Sequence, residues 1–147
     1  LRVRDLQDPA KKMSKSDETG KGVIFLSETP EAAPKKFMIA TTDSHGEVKF
    51  DIKERPGVSN LLQILSLLSG RSQEDVLKEW TGKTSYGDLK KAVADVVANF
   101  LRDFQAKLAT VDERAVLSKL ESSEDTVRKT ANATLLRAQQ AVCLRQK

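Results

Sequence analysis

Residues 61–70, Leu61-Leu62-Gln63-Ile64-Leu65-Ser66-Leu67-Leu68-Ser69-Gly70, constrain the fold more than any other stretch of the chain. Their leucines and isoleucine fall on nearly every side of a 3.6-residue helix, so a helix here has almost no face to give to water. It must lie at the centre of other elements. Pro56-Gly57 marks its beginning and Gly70 its end. From Arg55 onward the rest of the chain also reads as helix. Ser72 stands as an N-cap before Glu74 and Asp75, opening a short helix through Val76, Leu77 and Trp80. Trp80, the single tryptophan, is expected to be a packing anchor. A polar loop, Thr81 to Asp88, leads into the longest helix. Leu89, Val93, Val96, Val97, Phe100, Leu101, Phe104 and Leu108 recur there at three and four and mark its core face. A short helix is expected from Asp112, with Val116, Leu117 and Leu120 inward, and a last one from Ser122 or Ser123. That last helix presents Val127, Ala131, Leu135, Ala138 and Val142 to the core, and Cys143 is expected as a small core residue. The fold class is therefore mostly α, a C-terminal helical bundle.

The first third is organised differently. Leu1 to Leu6 alternates, with Leu1, Val3 and Asp5 on one side and Arg2, Arg4 and Leu6 on the other, as at the end of a sheet strand. Val23-Ile24-Phe25-Leu26 is too short an apolar run for a helix and is expected to be a buried extended segment. Pro30 and Pro34 place a helix start near Ala33, running to about Thr42. Val48, Phe50 and Ile52 then alternate with charged residues as a half-buried arm. His45 is an exposed turn residue.

Between the first strand-like residues and Val23 lies Lys11-Lys12-Met13-Ser14-Lys15-Ser16-Asp17-Glu18-Thr19-Gly20-Lys21-Gly22. Its lysines and hydroxyls can carry charge and donors to a polyanion, while Gly20 and Gly22 leave the backbone able to move. This composition suits triphosphate chemistry. Loss of pyrophosphate concentrates charge on the leaving oxygens, and a lysine that reaches them only in the transition state accelerates the step. Lys15 and Lys12 are the candidate catalytic residues, and a solvated basic turn is the plainer reading of the same pentamer.

Lys12-Met13-Ser14-Lys15-Ser16 is followed by Thr42-Asp43-Ser44, then Arg55-Pro56-Gly57-Val58-Ser59-Asn60-Leu61-Leu62, then Tyr86-Gly87-Asp88-Leu89-Lys90-Lys91. In order and spacing these resemble the C-terminal part of the tryptophanyl-tRNA synthetases, class I aminoacyl-tRNA synthetases whose second signature is the KMSKS pentamer. Asp17-Glu18 and the run through Asn60 favour tryptophan over the tyrosine-specific relatives. The resemblance implies the tail of a truncated nucleotide-binding α/β domain with the KMSKS loop at residues 1–29, a connecting helix and arm at 30–56, and a helical tRNA- and anticodon-binding domain at 57–147. It implies ATP binding by Val3, Lys12, Met13, Ser14, Lys15 and Ser16, with magnesium accompanying ATP. The other partners it implies are tryptophan and a tryptophan-specific tRNA. The complete enzyme is expected to be a homodimer and this portion a monomer, inactive alone. The first signature, a His-x-Gly-His turn, has no counterpart, because His45 is the single histidine.

With 25 basic and 21 acidic residues the net charge of +4 is mild, compatible with RNA contact without demanding it. One histidine and one cysteine assemble no metal site. No apolar run reaches the ~18 residues of a membrane span, and no leader pattern opens the chain, so a cytoplasmic setting is expected. A second reading treats the chain as a stand-alone helical RNA-binding or interaction module led by Lys83, Tyr86, Lys90, Lys91 or Arg102. It leaves the spaced motifs unexplained.

Overall fold

The computed structural model describes residues 2–17 and 19–145. Leu1 and Glu18, which carry part of the strand and loop expectations, lie outside the described residues. Five helices follow one another: α1 (Ala33–Met38), α2 (Pro56–Ser69), α3 (Gln73–Trp80), α4 (Tyr86–Ala109) and α5 (Glu113–Ala141). Contacts divide the chain into two units, Leu1–Lys107 and Leu108–Lys147.

In the first unit α2 is the centre. Gly57 to Leu65 are buried without a break, as its all-round apolar surface requires. Gly57 is there because the chain passes close by: a Cβ at this position would overlap the main-chain oxygen of Thr41. Gly70 takes a left-handed φ of 69° and ends the helix. Around α2 the core gathers Leu6, Phe37, Val48, Val76, Leu89 and Leu101. α3 begins as its sequence predicts, with Ser72 Oγ accepting from the Asp75 N–H at 3.1 Å, and Trp80 is buried.

Two consecutive polar residues sit inside this apolar centre. Ser59 Oγ accepts from the Asp51 N–H at 2.8 Å, and Asn60 bonds the main chain of Arg4. Both are essentially inaccessible to water. They fasten irregular chain to the central helix, one to the arm and the other to the N-terminal segment.

Several local expectations change. The N-terminal segment forms one isolated antiparallel bridge, Arg4 to Lys12, rather than a strand of a sheet. Leu6, expected outward with the arginines, is buried in the core. The first helix stops at Met38, short of Thr42, and leaves Ile39 exposed. In the arm Val48 is buried and exchanges main-chain bonds with Gly82 and Lys83 (3.0 and 2.7 Å). Ile52 has already entered a turn closed by Arg55 N–H to Asp51 C=O and is exposed. On α4 Leu89, Val93, Val97 and Leu101 of the predicted face are buried and Val96 and Phe104 half-buried, but Phe100 and Leu108 are exposed.

The second unit departs furthest. Asp112 caps α5 by accepting from the N–H groups of Arg114 and Ala115, and the helix then runs unbroken through Ser122 and Ser123. Ser123 and Thr126 satisfy their hydroxyls on the carbonyls four residues back, of Lys119 and Ser122, which keeps them inside a helix instead of starting one. No residue of α5 is buried, so Val116, Leu117, Leu120, Val127 and Leu135 are exposed where an inward face was expected. Periodicity supplies a stripe, but among the described residues of this unit no second element covers it. Cys143, expected in the core, lies beyond the helix end, exposed, with φ 59°.

Candidate functional site

The lysine-rich segment is a loop with a tied neck. Its two ends meet where the Leu6 N–H donates to the Gly22 carbonyl at 3.0 Å. Gly22 is required by that approach, since a Cβ would overlap the Asp5 carboxylate. Asp5 in turn accepts from the N–H groups of Gln7 and Asp8 (2.8 and 2.9 Å), turning the chain into Pro9. Thr41 fixes the same corner from α1's far end: its N–H donates to Leu6 C=O and its hydroxyl to Gln7 C=O, each at 2.7 Å.

Within the neck the chain is briefly extended. Asp5 N–H donates to Lys11 C=O and Met13 N–H to Val3 C=O, both at 3.1 Å. Extended chain alternates its side chains, so Met13 turns inward while Lys12 faces solvent. Met13 packs against the core beside Val3 in an apolar cavity of 230 Å3 that also reaches Phe37, Ile64 and Val97. Met13 is thus a hydrophobic peg for the loop.

Past Met13 the next tie to the neck is at Asp17. Ser14 to Asp17 forms a turn closed by Asp17 N–H to Ser14 C=O (3.2 Å), with Lys15 and Ser16 at its exposed corner and the Ser14 and Ser16 hydroxyls 3.0 Å apart. Among the described residues neither Lys12 nor Lys15 is in an ion pair, whereas Lys11 is 2.9 Å from Asp8. Asp17 closes the exit by accepting from the N–H groups of Gly22 and Thr19 and from the Thr19 hydroxyl. These bonds, the Gly22 one foremost, hold its carboxyl below the usual range. Beyond Gly22, Lys36 of α1 donates to Val23 C=O at 2.9 Å and pairs with Glu28 at 2.5 Å. Gln105 of α4 donates to Leu26 C=O and Glu28 C=O (2.9 and 2.7 Å). An open cleft of 340 Å3 lies along the loop, lined by Lys12, Ser14, Ser16 and Asp17 with Asp5 and Lys11. Asp8 and Thr19 also line it and Lys15 does not, so the cleft carries three carboxylates against two ammonium groups. The charge available to a polyanion is that of Lys12, unpaired among the described residues, and of Lys15 on the exposed turn.

The candidate RNA-contacting side chains do not gather at one point. Lys83 lies 4.0 Å over the Trp80 ring. The Tyr86 hydroxyl donates to Asp43 and lies 3.0 Å from Glu47 C=O. Lys90 reaches the Met38 carbonyl at 3.5 Å, and its burial lowers its pKa. Lys91 is exposed, and Arg102 bonds Asn99. Sixteen residues of helix separate Tyr86 from Arg102, about 24 Å of rise.

A sequence profile described as tRNA synthetases class I (W and Y) matches residues 1–102, which include the whole loop, α1 to α3 and most of α4. The chain belongs to this family. Among similar proteins, the tryptophan–tRNA ligase of Oceanobacillus iheyensis is 42% identical over 147 residues, covering 99% of this chain and 45% of that protein. The Bacillus subtilis tryptophan–tRNA ligase is 40% identical, with 99% and 44% covered. A crystal structure of tryptophanyl-tRNA synthetase from Mycoplasma pneumoniae superposes with a TM-score of 0.80 at 32% identity, over 95% of this chain and 42% of that one. The chain thus spans a little under half the length of the relatives it matches. The stretch matched by the family profile includes the pentamer.

Proposed function

We propose that this chain is part of an ATP-dependent tryptophan–tRNA ligase. The complete protein activates tryptophan to its adenylate with release of pyrophosphate, then transfers the aminoacyl group to a tryptophan-specific tRNA. The observation that carries the reading is the Lys12–Ser16 loop, with its neck fixed and its tip free. Lys15 moves onto the pyrophosphate oxygens as charge develops there, and Lys12 meets the triphosphate from the anchored side. Met13 holds the loop to the core, Ser14 and Ser16 supply hydroxyl donors, and the Val3 main chain borders the nucleotide. Magnesium enters with ATP, held by the triphosphate.

In this reading residues 1–29 end the catalytic domain, 30–56 connect, and 57–147 serve tRNA binding, with Lys83, Tyr86, Lys90, Lys91 and Arg102 as contacts. The complete enzyme is a homodimer and works in the cytoplasm, while this portion alone is a monomer without synthetase activity. No helix among the described residues is long and apolar enough to cross a membrane. The test is amino-acid-dependent exchange between ATP and pyrophosphate by the full-length protein. Exchange with tryptophan and not tyrosine is expected; exchange with neither, from folded protein, overturns the proposal.

A further inference from the structure

The bridge between Arg4 and Lys12 is made by the peptide groups of their neighbours. In an antiparallel pair of this geometry the N–H and C=O of Arg4 itself point to the opposite edge, away from Lys12. An open edge of that kind needs another strand or water. Here a single side chain from α2 takes both groups. Arg4 N–H donates to Asn60 Oδ1 at 2.9 Å, and Asn60 Nδ2 donates to Arg4 C=O at 3.0 Å. A primary amide offers the same donor and acceptor as a peptide unit, so Asn60 stands in for a residue of a third strand. It is 2% exposed and lies between Val58 and Leu61, which are equally buried. Its position is therefore set by the centre of the fold, not by the loop.

We propose that Asn60 is a positioning residue for the lysine loop. By holding the Arg4 peptide on α2 it fixes the main chain of Lys12, and with it the point from which that ammonium reaches phosphate. The inference rests on the reading of the loop given above. The chemistry is specific to asparagine: Asn60→Asp sets an oxygen against the Arg4 carbonyl, and Asn60→Ser is too short to meet both groups. Lys15 stands three residues further on, in a turn with no bond to Arg4, so loss of Asn60 acts on Lys12 and spares Lys15.

A double-mutant cycle in the full-length protein tests this, read by the rate of tryptophan-dependent pyrophosphate exchange with a thermal melt of each variant. Asn60→Ser is expected to lower kcat about tenfold while the KM for tryptophan stays within about twofold. Combined with Lys12→Ala it should cost less than about twofold more, and combined with Lys15→Ala the full tenfold again, as roughly expected for coupled and uncoupled sites. Asn60→Asp should follow the same pattern. Equal losses in both backgrounds, or a raised KM with unchanged kcat, overturn the assignment. So do variants that melt below the assay temperature, which would make the amide an element of stability alone. If the unsubstituted protein shows no tryptophan-dependent exchange, the proposed function falls, and this inference with it; exchange with additive losses removes only the role of Asn60.

Discussion

Lys12 and Lys15 stand three residues apart in one basic loop, and the fold treats them differently. Lys12 belongs to the neck, bridged to Arg4, which Asn60 holds, and followed by Met13 seated in the core. Lys15 belongs to the tip, the exposed corner of a turn that is tied back to the neck only at Asp17 among the described residues. The difference teaches where pre-organisation ends. A lysine on fixed main chain is directed at the triphosphate from the moment substrate binds and gains as charge grows there, whereas one on a free turn can close when charge appears on the departing oxygens. The second kind of contact is absent from the ground state and so contributes the larger share of the rate.

The largest expected effect follows from that division. In the full-length protein Lys15→Ala should lower the rate of pyrophosphate exchange on the order of 10²–10³-fold, as removal of a transition-state donor does elsewhere. Lys12→Ala should cost about tenfold, the value of one charge-assisted contact, with steady-state kinetics separating kcat from KM. Equal losses would break the distinction between neck and tip.

The loop's exit gives a second, smaller contrast, in stability. Lys36→Met removes the partner of a Glu28 that is mostly screened from water and frees the Val23 carbonyl; about 2 kcal/mol should be lost in urea denaturation. Gly22→Ala drives a methyl group into the Asp5 carboxylate at the neck and should cost about 1–3 kcal/mol. Gly20→Ala has open space around it and only a left-handed φ of 63° to strain it, so its cost should stay near 1 kcal/mol. A costlier Gly20→Ala would mean that the tip is held as firmly as the neck.

The smallest effect concerns pH and the Asp43–Tyr86 pair. Burial raises the Asp43 pKa, but the bonds from the Tyr86 hydroxyl and the His45 N–H, with the charges of Arg55 and His45, outweigh it and leave the pKa below 3.8. Burial first, then the bond to Asp43 and its charge, raises Tyr86 above 10.0. A lowered acid contributes stability above its unfolded value and loses it as pH falls through the folded one. A raised phenol contributes below its unfolded value and loses it as pH rises through the folded one. The pair therefore supports the fold across the neutral range and weakens at both ends. Tyr86→Phe should flatten both limbs, seen as smaller shifts of the urea midpoint between about pH 7 and about pH 3 or 10.5. An unchanged profile would remove the pair from the ledger of stabilising contacts.

Much of the helical part was legible because one physical rule governs it. All-round apolarity from Leu61 to Leu68 predicted a central helix, which is buried as far as Leu65 while Leu67 is exposed. Ser72 and Gly70 predicted their caps, and the spacing on α4 predicted a face on which Leu89, Val93, Val97 and Leu101 are buried and Phe100 is not. The same rule failed on α5, whose apolar stripe is as periodic but is covered by no second element among the described residues of its unit. Periodicity shows which face a helix can bury, not whether another element arrives. At the loop, residue types pointed to the lysines, yet the anchors were hidden. Asn60 was visible as a polar residue inside an apolar run, but its partner lies 56 positions away. Gly22 suggested freedom and is instead fixed by Asp5.

Residue-resolved amide hydrogen exchange on the 147-residue chain is the most direct test that the loop is fixed at its neck and free at its tip. The N–H groups of Arg4, Asp5, Leu6 and Met13, bonded to Asn60, Lys11, Gly22 and Val3, should exchange slowly, and those of Lys15 and Ser16 at rates near the unfolded chain. Rapid exchange at Met13 and Arg4, or protection at Lys15 equal to theirs, would contradict the division on which the roles of the two lysines depend.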